Sequence, residues 1–300
     1  MSRRLRDDVV SAEALSDRRQ RDQSETPVLP VHPTPAGAPT RAPSTVGFAA
    51  VLIFVYGVGC YALFAGTFLY LVGFVANLVV PKSIDSGAAS PIVAAIGTNV
   101  LLLGLFAVQH TIMARPRFKK WWNEHLSPAA QRSTYVLAAC LCLLLLVGLW
   151  RPIPGTIWDI DHAVGRGVVW ALCFGGWALV LYSSFLIDHF DLFGLRQVFL
   201  HLRQRQPRPP SFKTPWLYRL VRNPLMLGFL IAFWATPTMT WGHLLFSAGM
   251  TAYILMGIRF EERDLATHLG EPYRRYRAQT PMLLPRPRGR GLRGRQIASP

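Results

Sequence analysis

The sequence predicts an all-α membrane protein: a polytopic transmembrane helical bundle of about five to six spans, closed by a C-terminal helical hairpin. Three observations carry this. Hydrophobic residues fill 51% of the 300 positions and charged residues only 16%, against roughly 25% charged in an average soluble domain. The apolar residues fall in long uninterrupted blocks. Between the blocks, loops rich and poor in Lys and Arg alternate. In hydrocarbon each backbone amide and carbonyl must pair inside its own segment, so such blocks are helices.

Residues 1–46 hold seven Arg, six acidic residues and six Pro, with no apolar run. This composition cannot bury a core and reads as a disordered arm. Without an apolar stretch before residue 48 it is not a secretory signal. Block 48–80 is charge-free over 33 residues, which is about 50 Å of helix against a hydrocarbon core of ~30 Å. Tilt or overhang can absorb the excess; one helix and a bent pair both satisfy the pattern. Gly59, Gly66 and Gly73 share one face, which points to close helix packing.

Blocks 92–113, 134–150 and 167–187 are also charge-free, each about one membrane thickness. Block 224–258 runs 35 residues without a charge, and its middle reads Ala-Thr-Pro-Thr-Met-Thr-Trp-Gly-His. Pro237 removes a backbone donor, so a hairpin bending near 236–243 is predicted. Charge requires the same. Loop 81–91 holds only Lys82 and loop 151–166 only Arg151 and Arg166, whereas 114–133 holds five basic residues, 188–223 seven, and the segment from 259 onward ten. Cytoplasmic loops carry the Lys/Arg excess. Four passes return the chain to the cytoplasm at 188–223, and an even number must follow to leave the basic tail there too. The expected protein sits in the cell (inner) membrane with both termini cytoplasmic. Residues 47–285 form the membrane domain. Residues 286–300 read as a disordered basic tail, solvated near anionic head groups rather than bound to nucleic acid.

The four cysteines, Cys60, Cys140, Cys142 and Cys173, lie inside apolar blocks without metal spacing, and read as small buried hydrophobes. The eight His show no ligand spacing, so no metal is expected. No Gly-x-Gly-x-x-Gly follows a strand, and phosphate-loop, zinc-protease and serine-hydrolase signatures are missing from the sequence. What remains is polar groups at the basic ends of helices. Arg222, Asn223, Pro224 and Gly228 open the hairpin; Pro suits a helix start, and first-turn amides beside a cation can hold a carboxylate or phosphate. Glu261 and Glu262 close it. Helical spacing puts Glu262 with Leu265 and Leu269, hence buried, and Glu261 with Asp264 and His268, hence solvated. Tyr273 and Tyr276 follow a Gly-x-Pro turn. The hairpin brings residue 262 back to the face of residue 222. A cation, helix amides, a carboxylate and aromatic rings round one pocket suit a zwitterionic, ribose-bearing cofactor.

Arg-x-Pro-x-x-x-Gly, then Glu-Glu, Gly-x-x-Tyr-x-x-Tyr and Pro-x-x-x-Pro over 222–285 resembles the isoprenylcysteine carboxyl methyltransferase superfamily of membrane enzymes. Asn223 stands where that family usually has His. The runs Val108-Gln109-His110-Thr111-Ile112-Met113-Ala114-Arg115-Pro116, Gln131-Arg132-Ser133-Thr134-Tyr135 and Asp188-His189-Phe190-Asp191-Leu192-Phe193-Gly194-Leu195-Arg196-Gln197 look like the bacterial methanethiol S-methyltransferases. The likeness spans about 48–285. It implies S-adenosyl-L-methionine as donor, methanethiol as acceptor and dimethyl sulfide as product. The acceptor must react as thiolate, so a base is needed. His189, with Asp191 near it in sequence, is the first candidate and His110 the second. Gln109, His110, Arg196 and Gln197 are the expected substrate-side residues; Arg196 and Gln197 could instead help to hold the donor's charged end. Two alternatives stay open. The acceptor could be another small thiol or a prenylcysteine carboxylate. A related NnrU-like protein could instead be a haem-binding or accessory component, with His110 and His189 as axial ligands.

Overall fold

The computed structural model describes residues 47–206 and 214–285; the expected arm at 1–46 and tail at 286–300 lie outside the described residues. In chain order the elements are α1 (Phe48–Ala76), α2 (Ile92–Ala114), α3 (Pro116–Asn123), α4 (Pro128–Leu149), β1 (Thr156–Asp159), α5 (Ala163–Ile187), α6 (His189–Leu192), α7 (Leu195–Leu202), α8 (Trp216–Leu220), α9 (Pro224–Trp234), β2 (Thr238–Thr240), α10 (Trp241–Leu269) and α11 (Glu271–Gln279). Five of them, α1, α2, α4, α5 and α10, are long and apolar enough to cross a membrane. The protein is an all-α, multi-pass membrane protein.

The first block is one helix, not a bent pair. It stops at Asn77, whose φ of 58° is left-handed. The glycine expectation is corrected. A Cβ on Gly59 or Gly66 would meet nothing within 4 Å, and one on Gly73 would meet only Val80 and Leu78 just beyond its own turn. The position that a neighbour needs is Gly57, where a Cβ would lie 2.5 Å from Val198 Cγ2 of α7.

The last block is the predicted hairpin, bent over 235–240. Its first arm, α9, has only 11 residues, or about 16 Å, so extended chain completes the crossing. A helix that ends at membrane depth leaves carbonyls which lipid cannot satisfy. Here side chains satisfy them. Phe233 O accepts from His243 Nε2 at 2.9 Å and Ser247 Oγ at 2.7 Å, and Thr236 O accepts from Trp158 Nε1 at 3.1 Å. His243 therefore carries its proton on Nε2. The turn then pairs antiparallel with β1, in register Thr156↔Thr240 and Asp159↔Thr238. Thr240 Oγ1 donates to Asp85 at 2.6 Å. The three segments poor in basic residues are thus gathered at one end of the bundle. At the other end, Arg115 pairs with Asp264 at 3.5 Å and Arg222 with Glu262 at 2.7 Å.

The hairpin's first arm seats along α5 with almost no gap. A Cβ on Gly228 would lie 2.7 Å from Gly176 O, and one on Gly176 would lie 2.7 Å from the Ala232 amide nitrogen. Backbone cannot yield as a side chain does, so both sites admit only hydrogen. Beside them Trp177 meets Phe229 and Phe233 edge-on, each with ring centroids 5.8 Å apart. Phe74, Trp150 and Phe246 continue this aromatic core.

Gly228→Val should lower the thermal stability of the detergent-solubilised protein by about 1–3 kcal/mol, the usual cost of overpacking. Gly59→Ala and Gly66→Ala should leave it unchanged or slightly raised, since Ala favours helix by ~1 kcal/mol. Equal melting shifts for all three would contradict the packing described.

Candidate functional site

Three groups of side chains meet at the basic end of the bundle. The first is the foot of the hairpin. Glu262, 5% exposed, receives Arg222 Nε and Nη2 on one oxygen, both at 2.7 Å, and Arg277 Nε on the other at 3.3 Å. Arg222 Nη1 donates to the carbonyls of Arg277 at 3.0 Å and Thr280 at 2.5 Å. Its backbone amide donates to Pro281 O, and that of Asn223 to Met282 O, at 2.8 and 3.2 Å. One guanidinium thus ties both ends of the hairpin and the chain after α11 together. Burial pushes the Tyr273 and Tyr276 phenols up to about 12, so both stay protonated. Tyr276 donates to Tyr218 O at 2.5 Å. Glu261, one residue away on the exposed face of α10, makes no hydrogen bond or ion pair among the described residues.

The second group is the elbow after α5. Asp188 sits at φ 98°, and Gly194 at φ 90°; the two left-handed residues bracket the one-turn helix α6. A Cβ on Gly194 would lie 2.7 Å from the Ser133 amide, so glycine there serves both conformation and close approach to α4. Asp188 accepts from Arg196 and caps the Asp191 amide. His189 is 4% exposed, stacked on Phe185 at 4.2 Å and edged by Phe193 at 4.8 Å. Ser184 Oγ gives its proton to Leu181 O, so it must accept from His189 Nδ1–H at 2.8 Å. Nε2 then carries the lone pair and accepts from the Tyr61 hydroxyl at 2.9 Å. Burial holds this imidazole below its usual pKa.

The third group lines the α2–α4–α10 seam. The His110 ring lies 4.9 Å from Tyr135 and 5.2 Å from Phe106, with Tyr253 at 6.2 Å. Gln109 Nε2 contacts Met113 Sδ at 3.0 Å. Arg132 joins this group to the elbow. Its Nε donates to Leu192 O at 2.7 Å, and its guanidinium lies over Tyr135 at 5.2 Å.

The hairpin brings Arg222, Asn223, Glu261, Glu262, Tyr273 and Tyr276 together, as their order in sequence suggests. Several partners differ from expectation. Arg222 and Glu262 engage one another rather than standing open. Pro224 opens α9, but Gly228 faces the α5 backbone. Asp191 does not touch His189, whose partners are Ser184 and Tyr61; Asp191 accepts from Gln197 Nε2 instead, at 3.4 Å on Oδ1. Nothing in the sequence distinguishes Tyr61 as a site residue. Arg132 stands out only as part of the run 131–135, and Ser184 only through the paired hydroxyls Ser183-Ser184 inside an apolar span. Three expected substrate-side residues each hold a buried polar atom without a hydrogen-bond partner: Gln109 Oε1, His110 Nδ1 and Gln197 Oε1. Such atoms are uncommon in folded proteins and call for an explanation. Among the described residues no group of His, Cys, Asp or Glu could hold a metal ion.

A family model described as "NnrU protein" matches residues 99–285. The chain is 52% identical over 236 residues to a methanethiol S-methyltransferase of Mycobacterium tuberculosis, covering 79% of this chain and 97% of that one. It is 52% identical over 242 residues to methanethiol S-methyltransferase 2 of Bradyrhizobium diazoefficiens, covering 80% and 92%. A Pseudomonas methanethiol S-methyltransferase is 48% identical over 232 residues, covering 77% and 89%. No solved structure matches.

Removing one member of a buried ion pair strands the other, at about 3–5 kcal/mol. Arg222→Ala and Glu262→Gln should each cost stability on that scale in detergent melts and speed tryptic cleavage near Arg277; a change below 1 kcal/mol would contradict the clamp. His189 gives a pH dependence of known sign. Its folded pKa is depressed, so below about pH 6.5, the ordinary His value, the unfolded chain binds a proton that the folded chain does not. Stability should fall as pH drops from there toward the depressed folded value. His189→Gln should flatten that part of a stability-against-pH curve, and an unaltered curve would contradict the assignment.

Proposed function

Because the chain belongs to the NnrU protein family and to the methanethiol S-methyltransferases, we propose that it methylates methanethiol to dimethyl sulfide with S-adenosyl-L-methionine as donor. The observation that carries this reading is the 52% identity that extends over 97% of such a relative. The seam supports it, since unpartnered polar atoms and aromatic faces meet there at the basic end. Its donor set fits a zwitterionic sulfonium nucleoside: a carboxylate at Glu261 that makes no hydrogen bond among the described residues and can take hydroxyl donors, cationic groups for a carboxylate, and ring faces that favour a positive charge. When bound, this donor supplies an electrophilic methyl group on a sulfonium.

The chain's own residues have five tasks. Arg222 and Glu262 position the foot of the hairpin, with Asn223, Tyr273 and Tyr276 packed beside them. Glu261 accepts hydrogen bonds from donor hydroxyls. Phe106, Tyr135 and Tyr253 exclude water around the acceptor sulfur. His110 takes the thiol proton: its Nδ1 is buried without a partner, whereas both nitrogens of His189 are already bonded. The S–H bond breaks as an N–H bond forms on His110, which leaves a thiolate held where the donor, when bound, would present its methyl group. His189 serves by holding the elbow. In this reading the site lies on the cytoplasmic face of the inner membrane, which the basic residues at these ends of the spans support, and methanethiol, small and apolar, reaches it through lipid.

Membranes containing the chain should release dimethyl sulfide into the headspace when given methanethiol and S-adenosyl-L-methionine, and none when either is withheld. Absence of the product would sink the reading. At neutral pH His110→Gln should lose on the order of 10²- to 10⁴-fold in rate and regain part of it at alkaline pH, where the thiol ionises unaided. His189→Gln should keep the wild-type profile of rate against pH.

A further inference from the structure

We infer that Arg132, not Arg222, holds the carboxylate of the methyl donor, in a cleft that it shares with Asp191 and Gln197. The inference rests on the methyltransferase reading above and adds a residue to it. A guanidinium has five N–H donors. Arg222 commits four: Nε and one on Nη2 to Glu262, and two on Nη1 to the carbonyls of Arg277 and Thr280. A ligand carboxylate could reach it only by displacing that clamp. Arg132 commits one, Nε to Leu192 O. Its remaining four make no hydrogen bond among the described residues, although its charge acts on the Glu261 carboxylate, and its guanidinium plane rests on the Tyr135 ring. The anchored Nε fixes the fork in place, so little side-chain entropy is left to lose on binding an anion.

The cleft suits the amino-acid end of such a donor. It is about 280 Å³, lined by Arg132, Ile187, Asp188, Asp191, Leu192 and Gln197. Asp188 is neutralised by Arg196. Asp191 is exposed, pairs with no cation among the described residues, and can meet an ammonium. Gln197 Oε1 is buried without a donor and can accept a second ammonium N–H. A cation, an anion and an amide in one small cleft match a free α-amino acid head. The Arg132 guanidinium also lies over Tyr135, whose ring is 4.9 Å from that of His110, so it stands between this cleft and the side chains where the sulfonium is needed. A single lipid phosphate would use Arg132 but would have no use for Asp191.

The test compares the donor with its decarboxylated analogue, by calorimetry on the full chain in detergent. The wild type should bind the donor about 10- to 100-fold more tightly than the analogue, as expected for a charge-assisted hydrogen-bonded pair. Arg132→Gln should bring that ratio close to one, and Arg222→Lys should leave it near the wild-type value. A partly unfolded sample weakens both ligands alike and does not move the ratio. Should Arg132→Gln fail to purify, Arg132→Lys carries the test, with the ratio expected to fall at least threefold. A ratio that survives at Arg132, or that vanishes in Arg222→Lys, overturns the inference while methyl transfer stands. Unaltered donor affinity in Arg132→Gln with loss of co-purified phosphatidylglycerol assigns the residue to head-group phosphate and also overturns it. A wild type that binds neither ligand overturns the methyltransferase reading, and this inference with it.

Discussion

The Arg222–Glu262 pair is the interaction on which the rest of this bundle end depends. The two residues are 40 apart in sequence and 2.7 Å apart in space, and that distance is possible only if the last apolar block enters and leaves on one face. Their side chains are 10% and 7% exposed, so water screens them little and the pair holds far more firmly than a surface pair would. The same guanidinium fixes the chain after α11 through two carbonyls. Connectivity, hairpin and C-terminal strap are therefore joined at one planar group, a role that Lys, with its rounder and more hydrated charge, could not fill as well.

Holding the hairpin's foot is useful only if its tip is held as well. The tip has the harder problem, because α9 stops at membrane depth and leaves carbonyls turned toward hydrocarbon. His243 and Ser247, both on α10, return to cap Phe233, and Trp158 from the opposite loop caps Thr236. Polar side chains inside the span thus serve the backbone and not a substrate. Gly176 and Gly228 then let the short arm lie against α5 at backbone distance, where dispersion and matched shape replace the hydrophobic effect that lipid cannot supply.

Much of the architecture was legible because its causes are one-dimensional. Apolar length, Pro237 and the alternation of basic loops are sums over neighbouring residues, and each of the five long helices and the hairpin bend follows from them. Residue roles were less legible because they depend on which face meets which. The glycines at 59, 66 and 73 share a helical face, but 59 and 66 meet no neighbour and 73 meets only the turn that follows it, whereas Gly57, two residues before Gly59, meets α7. Asp191 stands two residues from His189, yet a left-handed Asp188 turns the elbow so that Ser184 and Tyr61 reach the ring first. Burial of Glu262 could be read from its Leu neighbours at 265 and 269; its arginine partners, which decide whether it faces a ligand, could not.

That division of charges bears on the proposed chemistry. A thiolate attacking a sulfonium methyl removes one negative and one positive charge along the reaction path, so the transition state needs less electrostatic help than the reactants do. Strong fixed charges beside the reacting atoms would stabilise the ground state and slow the step. The arrangement here keeps the saturated Arg222–Glu262 pair at the foot of the hairpin, and surrounds His110 with Phe106, Tyr135 and Tyr253. Open charges, at Arg132, Asp191 and Glu261, lie where a donor's unreactive ends would be gripped. Binding energy taken from those ends serves orientation, which matters most when the acceptor is too small to contribute any of its own.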